Sequence, residues 1–189
     1  TKNTMADMKW LRQRGMDRAI LRAAAAGVPV VGICGGYQIL GERLSDPDGV
    51  AGDAGEEMGL GLLPIATRYE IPKIVRRVEA QLQGCRWEAY EIHMGRSVRT
   101  REHDWLVTAK DRDGLRGEGS RVARISGTYL HGWFDAPETR RRLAQEAGIA
   151  GHRAAEKSWV EHRREVYEAM ARHLEASVDL GPVRRYLDL

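Results

Sequence analysis

Apolar positions in the first part of the chain change period twice, from helical spacing to a short unbroken run and back. Met8 and Leu11 share a helical face behind Thr4, whose hydroxyl suits a cap, and Asp7 complements the positive helix end. Gly15 ends this pattern. A second helix is predicted from about Asp17 to Ala26 through Ile20, Leu21 and an alanine run, closed by Gly27 and Pro29. Val28 to Ile33 then reads as a short strand buried on both faces. Cys34, Gly35 and Gly36 follow at once, and helical spacing resumes from Tyr37 to Leu44. Helix, buried strand, tight turn and helix predict an α/β unit with a parallel sheet.

Ser45 to Gly61 is rich in Gly, Asp and Glu and predicts a long, mobile loop. Asp46 and Asp48 resemble the start of a calcium loop, yet the remaining ligand spacing is absent. Val75 to Leu82 and Trp87 to Ile92 alternate as strands around a turn at Gly84. Trp105 to Ala109 and Arg121 to Ile125 form a second pair, flanking Asp113 and Gly114, which favour a tight hairpin turn. Both pairs are expected as antiparallel additions to the sheet. Thr128 to Leu130 adds one more strand, ending at His131. From Pro137 onward the pattern is helical, with Asp135 as cap and a break around Gly148 to Gly151. Trp159, Val166, Met170 and Leu174 fall at helical spacing as packing residues.

Composition narrows the class. The chain has 189 residues, 42% apolar and 30% charged, which predicts one folded domain with a substantial core. No uncharged apolar run approaches the roughly 18 residues needed to span a bilayer, and no signal pattern opens the chain, so a cytoplasmic location without membrane association is expected. The net charge of +3, from 30 basic and 27 acidic residues, is too weak a bias to imply nucleic acid. Two cysteines, Cys34 and Cys85, are too few for a disulfide framework, so free thiols are expected.

The chemistry centres on Gly32, Ile33, Cys34, Gly35 and Gly36, a G-x-C-x-G turn between strand and helix. This is the nucleophile-elbow pattern with sulfur in place of a hydroxyl. The turn strains its central residue and crowds the chain, and small residues two positions to either side relieve the crowding. A cysteine at the start of the following helix meets free N–H groups and a positive dipole end, which favour thiolate and can hold an oxyanion. The plainer alternative is a buried small residue beside a glycine-rich turn. The coincidence of strand, glycines and helix favours the nucleophile, whereas Cys85 has no such surroundings.

A cysteine nucleophile needs a base that later serves as acid, usually histidine. Of six histidines, His152, His162 and His173 fall in polar helical sequence and His103 in a charged loop, which predicts surface positions. His131 follows an apolar strand and precedes Gly132, at a strand end where active-site loops gather. His93 lies at another strand end and is the second choice, with pocket-shaping or structural roles open.

Three segments, GICGGYQILG at 32 to 41, YEIHMG at 90 to 95 and YLHGWFD at 129 to 135, together with TKNT at 1 to 4, resemble the C-terminal glutamine amidotransferase domain of the cobyric acid synthase family. The related cobyrinic acid a,c-diamide synthase family has a similar elbow, but EIHMG and TKNT favour the former. The resemblance implies a class I glutamine amidotransferase-like, flavodoxin-like α/β fold with a parallel sheet core, antiparallel additions and flanking helices. It implies Cys34 as nucleophile and His131 as general base and acid, with Gly35, Gln38, Glu91 and His93 as substrate-binding residues. A helix-surface role for Gln38 stays open. Many class I enzymes carry glutamate two residues after the histidine; Trp133 stands there, leaving Asp135 and Glu91 as candidates for a third member, each with a plainer role as cap or structural hydrogen-bonder.

The same resemblance implies glutamine as substrate and no cofactor or metal in this domain. ATP and magnesium are expected in an N-terminal synthetase domain that amidates carboxylates of a corrinoid acceptor in cobalamin biosynthesis. Residues 1 to 189 are then one glutamine amidotransferase domain, expected as a fragment lacking its first strand and that synthetase domain. Two rival classes share the motifs, namely a thiol hydrolase of other specificity and a non-catalytic binding module.

Overall fold

A computed structural model describes residues 3–149 and 157–187. The elements run α1 (Thr4–Gln13), α2 (Met16–Ala25), β1 (Val30–Ile33), α3 (Gly35–Leu40), β2 (Arg43–Asp46), β3 (Gly55–Met58), β4 (Ile65–Leu82) and β5 (Cys85–Arg99). They continue with β6 (Val107–Asp111), β7 (Gly114–Glu118), β8 (Ser120–Val122), β9 (Ile125–Thr128), α4 (Pro137–Glu146), α5 (Trp159–Ser177) and α6 (Gly181–Tyr186). The mixed α/β class with flanking helices is as expected. Its parallel component is two strand pairs, β1 with β9 and β2 with β4, within sheets ordered β1-β9-β8 and β3-β2-β4-β6-β7, the latter with β5 also on β4.

Local chemistry moved several boundaries. Asn3, not Thr4, caps α1 by accepting from the Ala6 N–H at 3.0 Å, while Thr4 turns inward to Gln38. The helix after the elbow stops at Leu40, where Gly41 takes extended backbone so close to Ile65 that a Cβ would lie 2.8 Å from the Ile65 carbonyl oxygen. Arg43–Asp46 is therefore a strand rather than helix and loop; it pairs with Gly55–Met58, and the loop shrinks to residues 47–54. The long β4–β5 hairpin absorbs residues 65–74, and Pro72 falls in the register break between Tyr69 and Ile74, where its missing N–H costs no ladder bond.

The Asp113–Gly114 turn joins β6 to β7, so its partner strand is 114–118 and not 121–125. Residues 121–122 instead belong to β8 and Ile125 to β9, and residues 123–124 turn between these paired strands, with Ala123 at φ 51°. α4 has Pro137 in its first turn, but its cap position is Ala136, so Asp135 is not the cap. The expected break reaches Gly151, which lies outside the described residues, and so does His152.

The core divides around the strand ends. Val78, Ala80, Trp87, Ala89 and Ala109 pack on Leu130 and Trp133, while Tyr37, Leu40, Leu63 and Ile65 pack on Tyr129. Burial of a side chain such as Leu130 contributes about 1.5–3 kcal/mol, so the segment that carries His131 is anchored on both sides of the ring. The packing expected along α5 fails: Trp159 is 52% and Met170 63% exposed, and the helix has no buried residue, because no described element covers that face. Among the described residues no helix is long and apolar enough to cross a membrane.

Candidate active site

The elbow has the geometry its glycines require. Cys34 has φ 53° and ψ −110°, a region that costs a non-glycine residue about 1–3 kcal/mol. A Cβ at Gly32 would meet the Gly36 carbonyl at 2.6 Å and Leu40 at 2.7 Å, so only glycine fits beside the turn. Gly36 itself has open space around its Cα; its backbone, not its lack of a side chain, makes the contact. The Cys34 N–H closes the turn on the Thr128 carbonyl at 2.8 Å, tying the end of β1 to the end of its parallel neighbour β9.

Cys34 is half-buried and lines a cleft of about 360 Å³ together with Gly35, Gln38, Lys73 and His93. Thr4, Tyr69 and the apolar Val50, Ala51, Ile92 and Met94 complete the wall. Burial pushes the Cys34 thiol above its ordinary range, and the Gly35 N–H and the Lys73 ammonium pull it down without winning. This reverses the expectation of a ready thiolate: desolvation outweighs the turn's N–H groups. The thiol accordingly lies 3.8 Å from the Ile92 carbonyl, as its donor.

His131 leaves β9 three residues beyond the strand and bridges Tyr90, its N–H donating to the Tyr90 carbonyl at 2.9 Å. Its ring stacks on Tyr90 with centroids 4.8 Å apart. The Nε2 atom has no hydrogen-bond partner among the described residues. Burial, then the neighbouring His93, lowers its pKa from the ordinary 6.5. Tyr90 and Ile92 stand two residues apart on β5, roughly 7 Å along a strand, so one strand touches His131 through the first and the Cys34 sulfur through the second.

His93 is buried. Its Nδ1–H donates to the Gly95 carbonyl at 2.7 Å, its ring stacks on Tyr129 at 3.6 Å, and its Nε2 faces Glu91 at 3.5 Å. That Nε2 makes no hydrogen bond among the described residues, and His93 lines the cleft of Cys34. Glu91 is only 1% exposed, and burial alone would raise its pKa; His93, Arg76 and Arg116 outweigh that and hold it at about 2. Arg76 donates to it at 2.8 Å, Arg116 donates to its other oxygen, and Arg76 also meets Asp111 at 3.1 Å. Glu91 therefore serves His93 rather than His131. Asp135 stays beside Gly132, its N–H donating to the Gly132 carbonyl at 3.0 Å.

Gln38 is 2% exposed, which excludes a helix-surface role. Its carboxamide oxygen accepts from Thr4 at 2.9 Å and Tyr69 at 2.8 Å, and its nitrogen donates to Tyr129 at 3.2 Å. Tyr129 continues to Ser97 at 2.7 Å, and burial pushes its phenol up to about 12, so it stays a donor. The amide that looked available for substrate instead ties the nucleophile helix to the histidine segment. Sequence reasoning also missed Lys73, one lysine among many basic residues with no motif around it. The Asp46 carboxylate is filled by the Val50 and Ala51 N–H groups, both at 2.8 Å, and does not begin a calcium loop. Among the described residues no group of three or more His, Cys, Asp or Glu is placed to hold a metal.

Glu118 was not anticipated either. Buried at the end of β7, it accepts the Tyr129 N–H at 2.8 Å and the Thr128 hydroxyl, while Thr128 accepts the Leu130 N–H at 2.9 Å. Burial raises its pKa from 4.5 to about 7 against those donors. A raised carboxyl contributes stability that is present in full below its unfolded value and lost as pH rises through the folded one. Relative to wild type, Glu118→Gln is thus expected to gain on the order of 3 kcal/mol between pH 4.5 and pH 8, measured as the pH dependence of the urea midpoint.

A cysteine held in a strained turn at the carboxyl end of a parallel strand, whose neighbour β9 leads on to His131, is the arrangement that the resemblance to the glutamine amidotransferases implies. A solved structure titled as a glutamine amidotransferase shares the fold, with TM-score 0.54 and 16% identity over 78% of this chain and 76% of its own. The chain belongs to the CobB/CobQ-like glutamine amidotransferase domain family, which matches residues 1–139. It is 41% identical over 182 residues to the cobyric acid synthase of Brucella canis and 39% identical over 191 residues to that of Brucella anthropi. Each match covers 95% of this chain, which spans 37% of the length of those relatives.

Proposed function

We propose that the chain hydrolyses glutamine through a Cys34 thioester and supplies the ammonia to an ATP- and magnesium-dependent synthetase domain that amidates corrinoid carboxylates in cobalamin biosynthesis. The observation that carries this reading is a strained cysteine in an open cleft, at the end of the strand whose parallel neighbour leads to half-buried His131, whose Nε2 is itself buried and without a partner among the described residues. His93, whose Nδ1–H is held by the Gly95 carbonyl and whose Nε2 faces Glu91 at 3.5 Å, is the second candidate base.

Because the thiol is not ionised in advance, its proton passes to His131 Nε2 as sulfur adds to the carboxamide carbon. The Gly35 N–H stabilises the oxyanion. Collapse breaks the C–N bond, His131 returns the proton to the leaving nitrogen as ammonia departs, and a glutamyl thioester remains. Water deprotonated by His131 then adds, the C–S bond breaks, and the proton returns to sulfur as glutamate leaves. Ammonia released into neutral water is protonated, so a sheltered route to the activated carboxylate follows from the chemistry. The setting in which the synthetase meets ATP is the cytoplasm.

The test is release of ammonia and glutamate in equal amounts by this chain, alone or joined to its synthetase. Lys73 is the sole lysine or arginine among the described residues lining the cleft and suits the α-carboxylate of glutamine. Lys73→Met is expected to raise KM for glutamine about tenfold, near 1.4 kcal/mol, with kcat changed far less.

A further inference from the structure

The loop between β2 and β3 forms part of the cleft without supplying any reacting group. Val50 and Ala51 line the same cleft as Cys34, on the side facing the apolar Met5, Met8 and Tyr69 cluster. Their backbone is set by Asp46, 1% exposed, whose two oxygens accept the Val50 and Ala51 N–H groups at 2.8 Å each. Beyond them a Cβ at Gly52 would fall 2.2 Å from the Asn3 side chain, so the loop is seated directly on the start of α1. Gly49, at φ 66°, supplies the left-handed residue that lets the chain turn back. The loop is pinned at both ends, so the wall exists before a substrate arrives.

From this we propose that Val50 and Ala51 form the wall that receives the methylene stem of the substrate amino acid, and that Asp46 is the residue positioning that wall. The inference rests on the glutaminase reading and names a specificity element of the same cleft. A wall that contacts the stem equally in ground and transition states changes KM and leaves kcat in place. A carboxylate that merely holds the fold together shifts kcat, thiol reactivity and KM as one.

The experiment compares glutamine hydrolysis, and the rate of Cys34 alkylation by iodoacetamide, in the 189-residue chain and its variants. Asp46→Ala, which leaves two buried N–H groups without acceptors, is expected to raise KM about tenfold or more while kcat and alkylation stay within about threefold. Asp46→Asn, which keeps one acceptor, falls between. Ala51→Leu narrows the cleft without touching the cap and is expected to raise KM at an unchanged thermal midpoint. It decides the matter alone if Asp46→Ala does not fold. KM within twofold of wild type in Ala51→Leu, or a parallel fall of kcat and alkylation rate in a folded Asp46→Ala, overturns the proposal. A wild-type chain that alkylates at Cys34 but releases no ammonia overturns the glutaminase reading and this inference together; hydrolysis with an unmoved KM overturns this inference only.

Discussion

Cys34→Ala is expected to lower glutamine hydrolysis by roughly 10³-fold or more, at least about 4 kcal/mol of transition-state stabilisation. Alanine keeps the Cβ and so accepts the same φ 53° that cysteine does. It removes the sulfur and with it the thioester, the only covalent route available in the cleft. Because the turn is closed by the Cys34 backbone N–H on Thr128, the fold is expected to survive with a thermal midpoint near that of wild type. In a chain carrying its synthetase, amidation from added ammonium salt persists while glutamine-dependent amidation is lost. Retained glutamine use in this variant would show that Cys34 is not the nucleophile.

His131→Asn is the second large effect, about 10²–10⁴-fold on kcat. Its pH dependence has a defined sign. The base is neutral imidazole, and burial, then His93, holds the His131 pKa below 6.5. Wild-type kcat/KM therefore holds to lower pH than a histidine of ordinary pKa would allow before it falls; the variant loses that limb. The same depression makes a stability contribution that is present above the unfolded pKa and lost as pH falls through the folded one, so wild type sheds acid stability that the variant keeps. His93→Asn, by contrast, strands the ionised Glu91 between Arg76 and Arg116 and removes the ring stacked on Tyr129, so its loss shows first in stability.

What one sequence could disclose was local. The elbow was legible because its rule is steric and short-ranged: Gly32 is demanded by the Gly36 carbonyl four residues on. His131 was legible because the apolar Tyr129 and Leu130 precede it, although the strand expected through Leu130 ends at Thr128. The strands β2 and β3 were hidden, since a Gly- and Asp-rich stretch takes extended form only when β4 offers a parallel edge to Arg43–Asp46. The Asp113–Gly114 turn was visible, but which strand it returned along depended on packing, as β-pairing generally does.

Polar residues misled more than apolar ones. Gln38 has the same spacing whether it meets substrate or three hydroxyls, and only the fold brings Thr4, Tyr69 and Tyr129 to it. Glu91 has the composition of a triad carboxylate, yet strand alternation puts it on the face of His93 and of two arginines from β4 and β7. The thiol's protonation was misjudged because helix position was visible and desolvation was not. Glu118, which clamps the residues leading to His131, gives no motif because its partners, the Tyr129 N–H and the Thr128 hydroxyl, lie on another strand segment that only the fold brings to it.

The central claim is that the Cys34 sulfur attacks a glutamine side chain. Its most direct test is intact-mass and peptide spectrometry of the chain after treatment with a diazo-ketone analogue of glutamine. The account predicts one adduct per chain, on Cys34, prevented by excess glutamine. Adduct formation on Cys85, or labelling of Cys34 that glutamine does not slow, would contradict it.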